Sequence, residues 1–371
     1  MPAGKAAGRL LVRDLSATAA VFGEPVRKAW MTERSKLWLS RFGRLGICAV
    51  ALTWLGFDTD WGRLRQVLAE ADWRLAMVGI LSFGPAPVLI AFRQKLLLSV
   101  QDIHLSNWQM IKITFGCNFI IQALPLGTGG GDTAKAFYIG RDTPHKHEAV
   151  TAILFDRLIG VLGLLLLSGV ILIFNWGNPA FAVWGRPIAL SIGLLGAALC
   201  VGFSERIRRL VRFEQLLDVL PFSSHFKRID RAVLMYRRFP GRVAACFVLT
   251  FVLQMISILA IYLTGWALGL VGEHPLAAVP IYLAYIPICF LTGALPIGVM
   301  EVTFVELLAG AAKLGASEAA ISLSFMARIM QLIWALPGAM YVLRGRRQLG
   351  VQRADASRDT SPAECGGERV L

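Results

Sequence analysis

Asp156 and Arg157 stand side by side in a stretch, 149–174, that carries no other charge. Arg328 lies in a second long apolar segment, Glu301 follows a Pro-Gly pair in a third, and Asp132 with Lys135 follows a glycine run in a fourth. In a hydrocarbon environment a charge costs roughly 2.5–3.5 kcal/mol or more unless it is paired or hydrated, so such residues mark ion pairs or sites for charged ligands. Neighbours on a helix point about 100° apart, so Asp156 and Arg157 need separate partners. Arg157 and Arg328 are expected to meet Asp132, Glu301 or a lipid phosphate. Two readings stay open: buried ion pairs that hold the fold together, or a substrate site in which Asp132, Asp156 and Glu301 orient the arginines or carry a coupling proton.

The run Gly127-Thr128-Gly129-Gly130-Gly131 suggests an anion site. A helix that starts at Asp132 or Thr133 would expose the amides of Gly129, Gly130 and Gly131 at a positive dipole end, with Lys135 one turn in to pair with phosphate. The other reading is a tight hairpin turn with Asp132 as helix cap. No GxxxxGK[ST] loop, HExxH or GxSxG is present, and the five histidines form no catalytic cluster. The six cysteines are scattered without metal-ligand spacing. No catalytic residue, metal or cofactor is therefore assigned. Lys112, Thr114, Asn118, Gln122, Gln254, Glu306 and Gln331 are read as helix-packing polar groups.

The elements that must position these residues are membrane helices. The 371 residues are 56% hydrophobic and 17% charged, well below the ~25% of soluble domains. Spanning helices are expected at about 39–57, 73–92, 149–174, 181–203, 243–270 and 318–343, each near the ~20 residues that a bilayer requires. Two further regions, 108–140 and 277–314, are interrupted by Pro125 and Gly127 and by Pro296 and Gly298. Each is either a pair of crossings or a re-entrant hairpin. The fold class is thus all-α and polytopic, with about six full transmembrane helices and two broken hairpins.

Charge orients the chain. The net charge of +14 sits in segments flanking apolar ones: ten Lys/Arg in 204–242, nine in 1–44 and six from Arg344 onward. That pattern follows the positive-inside rule and removes the nucleic-acid reading. Both termini and the loop 204–242 are placed in the cytoplasm of a cell (inner) membrane protein. Residues 1–38 form a basic arm, a lipid-surface helix or a disordered segment; 39–345 form the membrane domain; 346–371 form a disordered tail.

The two breaks belong to one pattern. Ala123-Leu124-Pro125-Leu126-Gly127 matches Ala294-Leu295-Pro296-Ile297-Gly298 at an offset of 171, which also relates Arg157 to Arg328. Repeat A covers about 39–174 and repeat B about 181–343. Three helices separate the two hairpins, so the second copy is inverted, an arrangement used by transporters.

The run from Leu124 to Leu167, with Pro125, Gly127, Gly131-Asp132, Lys135 and Asp156-Arg157, resembles the lysylphosphatidylglycerol synthase transmembrane family. The second half, with Pro296, Gly298, Glu301 and Arg328, is similar to a later segment of that family. The resemblance spans roughly 40–345 and implies translocation of lipid between leaflets, with an anionic or phosphate-bearing headgroup as partner and lipid-synthesis enzymes as possible associates. No aminoacyl-transferase domain follows here, so aminoacylation is not expected of this chain. The competing reading is a membrane-embedded glycosyl- or acyl-transferase subunit acting on a lipid carrier, or a scaffold for lipid synthesis.

Overall fold

The computed structural model describes residues 53, 59–123, 127–141, 143, 146–203, 235–236, 238–293 and 298–343. The basic arm, all but residue 53 of the helix expected at 39–57, most of the loop 204–242, the tail, Pro125 and Pro296 fall outside these residues. The chain divides into two compact units, residues 1–58 with 296–298 and the remainder. The second unit holds all of the charged residues singled out from the sequence.

The described residues are helical, with no strand among them. A short helix α1 (Trp61–Glu70) precedes α2 (Trp73–Ser82) and α3 (Pro85–Val100), which together form one apolar run of 28 residues. Asp60 and Asp72 cap α1 and α2, each carboxylate accepting two backbone N–H groups of the first turn. Next come α4 (Asn107–Ala123), α5 (Gly127–Arg141) and α6 (Lys146–Phe174). A single 3-10 turn (Pro179–Phe181) leads to α7 (Gly185–Phe203). The second half holds α8 (Pro240–Ala267), α9 (Pro275–Thr292), α10 (Val299–Phe304) running into a π segment (Val305–Ala311), and α11 (Ser317–Ala335) with α12 (Pro337–Leu343). Among the described residues, four helices are long and apolar enough to cross a bilayer, or five when α11 and α12 count as one bent span. The chain is a helical membrane protein.

Three boundaries differ from those expected. The helix placed at 73–92 continues to Val100, because Leu96, Leu97 and Leu98 extend its apolar face beyond Arg93 and Lys95. The helix placed at 318–343 bends by 50° between Ala335 and Pro337, where proline has no N–H to donate to the helix ladder. The helix of the first hairpin's second arm begins at Gly127, ahead of Asp132. The glycine run therefore opens the helix, and Asp132 lies within it, too far in to cap it. The arms α4 and α5, of 17 and 15 residues, are about 25 and 22 Å long against a ~30 Å hydrocarbon core.

The 171-residue offset extends from motifs to elements. Shifted by it, α2–α3 falls on 244–271, beside Pro240–Ala267; α5 falls on 298–312, beside Val299–Ala311; and α6 falls on 317–345, beside α11 and α12. The contacts obey the same operation once partners are exchanged. The Asp72 N–H donates to the Ala267 carbonyl (3.0 Å), and the Arg242 guanidinium donates to the Ser99 carbonyl (2.8 Å), so α2–α3 runs antiparallel to α8. Ser168 on α6 donates to the Ala284 carbonyl on α9 (2.8 Å). Its image is 339 against 113, and there Gly338 lies on the backbone of Phe115. Gly163 touches Thr250; its image is 334 against 79, and there the Trp334 indole donates to the Ile80 carbonyl (2.7 Å). Two further contacts thus recur under the 171-residue shift with partners exchanged, and α2–α3 runs antiparallel to its own counterpart, α8.

Gly338 is the tightest of these points. A Cβ there would overlap the Phe115 carbonyl, and backbone cannot rotate away as a side-chain tip can. Gly338→Ala is expected to destabilise the protein by about 1–3 kcal/mol, the usual cost of overpacking. Thermal unfolding in detergent should show it as a clearly lowered midpoint, while Gly193→Ala, where a Cβ meets nothing within 4 Å, should not.

Candidate functional site

The first hairpin brings Asp132 to Arg157. Asp132 lies on α5 and Arg157 on α6, and the guanidinium donates from Nε to Oδ2 at 2.9 Å and from Nη2 to Oδ1 at 2.5 Å. The second half builds the same pair. Arg328 on α11 donates through Nε and Nη2 to the two carboxylate oxygens of Glu301 on α10. The sequence separations are 25 and 27. Both arginines therefore meet the acids that the sequence offers them. The pairs differ in exposure: the Arg157 and Asp132 side chains are 44% and 25% exposed, whereas Glu301 is fully buried behind Arg328.

Asp156 faces elsewhere, as its neighbour's direction requires. Arg93 grips both of its oxygens, Nε at 2.8 Å and Nη2 at 3.1 Å, and the remaining Nη1 donates to the Thr250 hydroxyl at 3.0 Å. Thr250 in turn donates to the Cys246 carbonyl (2.7 Å). The pair is almost fully buried and joins α3 and α6 of the first half to α8 of the second. Sequence reading misses Arg93, because its charge marks it as the cytoplasmic end of its helix. The signal is nonetheless present: Asp156 demands a cation, and apolar sequence continues on both sides of Arg93.

Lys135 is buried, two helical turns into α5. Its charge faces Asp156, Cys117, Arg157 and Asp132, yet it makes no hydrogen bond or ion pair among the described residues. With all five ionised, Arg93, Lys135 and Arg157 outnumber Asp132 and Asp156 by one. The second half has none to match. The position equivalent to Lys135 is Glu306, which is exposed, and Arg328 is balanced by Glu301.

The glycines separate into different roles. Gly129 and Gly130 lie in the first turn of α5, where amides have no carbonyl four residues earlier to meet. Gly131 is beyond that turn and allows α5 to close on α4, since a Cβ there would overlap the Ile121 side chain. Gly298 has φ of +105°, a left-handed backbone that favours glycine. Gln122 and Gln331 bond each other across α4 and α11 (2.7 Å), a packing contact as expected.

Breaking the buried pair should cost far more than breaking the open one. Asp156→Asn or Arg93→Ala is expected to destabilise the protein by about 3–5 kcal/mol, because each strands a charge in the interior. Arg157→Ala should cost less than either, because the Asp132 it leaves behind is partly exposed rather than sealed in the interior. Denaturant titration of the three variants in one detergent would rank them, and equal losses would contradict the assignment.

No curated protein matches the chain. Residues 41–338 match the family described as the lysylphosphatidylglycerol synthase TM region, which spans both hairpins, both Arg–acid pairs and the Arg93–Asp156 junction. The chain belongs to that family of membrane proteins of lipid or envelope biosynthesis.

Proposed function

We propose that the protein translocates a phosphate-bearing lipid between the leaflets of the cell (inner) membrane, with both termini in the cytoplasm. The excess positive charge beside the Asp132–Arg157 pair carries this reading. Lys135 makes no ion pair among the described residues, Arg157 is partly exposed, and Gly129 and Gly130 lie in the first turn, at the positive end, of the same helix. A headgroup phosphate would meet Lys135 and Arg157 and neutralise the excess. Asp132 holds Arg157 until the phosphate arrives, and Arg328 with Glu301 offers the corresponding pair in the inverted half. Inverted repeats supply the alternation, since each half can adopt the conformation of the other.

The transferase reading needs a general base. Asp132 and Asp156 are its candidates, and both are held through two oxygens by guanidinium groups. That leaves neither free to take a proton from a substrate, which favours transport.

Liposomes with the purified chain and a fluorescent phospholipid in both leaflets test the proposal. A membrane-impermeant reductant should bleach nearly all the label if lipid crosses, and about half if it does not. Arg157→Ala and Lys135→Met should each slow crossing by about tenfold or more, the loss of about 1.4 kcal/mol or more of binding. Label that stays in its original leaflet, with and without a proton gradient, would sink the proposal.

A further inference from the structure

The last described helix of the second half lies on the first hairpin. Past the 50° bend, α12 brings Gly338 onto the backbone of Phe115 on α4. It also brings Tyr341 onto Gly116, where a Cβ would stand 2.7 Å from the Tyr341 Cδ1. The Tyr341 ring packs in turn on Tyr138 of α5, with centroids 5.5 Å apart. Tyr138 is one turn from Lys135. The short helix therefore covers the α4–α5 pair beside the buried lysine, through glycine and ring contacts. Its other face is open, with Leu336, Met340 and Leu343 all exposed.

Two proline breaks meet at the root of this helix. Pro337 has no N–H, and the bonds around it tighten: the Leu336 N–H is shared between the Leu332 and Ile333 carbonyls, and the Ala339 N–H donates to Leu336. Across the interface, Pro85 follows the interruption between α2 and α3, where the Gly84 N–H donates to the Leu81 carbonyl at 3.0 Å. The Ile80 carbonyl is left to accept the Trp334 indole N–H at 2.7 Å, and only a glycine at 84 leaves room for that ring. The chain is thus held at Trp334 and released at Pro337. A rotation of α12 is absorbed at the element end and need not travel into α11.

The image of this interface has neither break. Under the 171-residue shift Pro85 and Pro337 become Ile256 and Leu166. Both α8 and α6 run unbroken through those positions, and Ser168 fastens α6 to the Ala284 carbonyl of the second hairpin by a buried hydrogen bond. One hairpin is covered by a continuous helix and the other by a short arm beyond a proline. The fold does not require the bend, since its inverted copy does without it.

We propose that α12 is a hinged cover over the first hairpin, turning about Leu336–Pro337 to bare Tyr138 and the α4–α5 face, with the Trp334–Ile80 hydrogen bond as its fixed point. What passes beneath it rests on the translocation reading above, and the motion is tested apart from that reading. Lys112 on α4 and Met340 on α12 are exposed, so cysteines there disturb no core packing. Cys117, Cys246 and Cys289 are buried away from a label, and Cys48, Cys200 and Cys365 are replaced by alanine. Spin labels on Lys112→Cys and Met340→Cys in nanodiscs should give two distances, the shorter from the docked arm. Gly116→Ala puts a methyl where the Tyr341 ring lies, and should raise the ratio of long to short distances by about tenfold, the effect of overpacking on a docked helix. A single short distance in both backgrounds would overturn the proposal. A bismaleimide matched to the short distance then locks the arm, and lipid crossing in liposomes should slow by about tenfold or more. Crossing at the unlocked rate would also overturn it, because an arm that can be fixed without effect covers no path. Two distances in a protein that moves no lipid even unlocked would reject translocation and leave the hinge standing.

Discussion

A carboxylate that cannot reach water must be held by something, and much of this molecule depends on how Asp156 is held. Arg93 satisfies both of its oxygens and spends its last donor on Thr250. Three helices from two halves are thereby fixed at one point. Every group in the set is donor-matched, which is the condition under which charge is tolerated away from water. Around this point the aromatic and apolar contacts fall into place: Phe155 stacks on Tyr236 at 3.9 Å, and Tyr236 donates to the Leu97 carbonyl.

With that junction fixed, α6 presents its next residue, Arg157, about 100° away and toward the first hairpin. One helix thus serves two duties through adjacent residues. Asp156 faces the interior and is closed to exchange. Arg157 is partly exposed and pairs with Asp132 of the first hairpin. The second half separates the duties: Arg328 has its acid, and its preceding residue, Ala327, is a buried packing residue. The halves share a frame and differ in where charge is placed within it.

The parts legible in the sequence were those encoded locally or by repetition. Long apolar runs gave the helices, and the 171-residue offset lines up elements of the first half with elements of the second. Both Arg–acid pairs were available from the cost of charge in lipid. What failed depended on distant packing. The glycine run reads as a loop by propensity, yet it is helical because Gly131 lets α5 close on Ile121 of α4. Arg93 reads as a membrane border by charge, yet it lies inside because Asp156 receives it. The π segment at Val305–Ala311 has no signal in composition.

The antiparallel pairing of α2–α3 with α8 also bears on ancestry. A contact that maps onto itself under reversal is the contact that two copies of one half-length protein make when inserted in opposite orientations. The ends of the interface are not alike: Arg93 with Thr250 occupies one, and its image, Thr264 against Gly79, has narrowed until Thr264 Oγ1 lies 2.5 Å from where a Cβ would stand. The two ends thus correspond in backbone position and differ in the residues that hold charge.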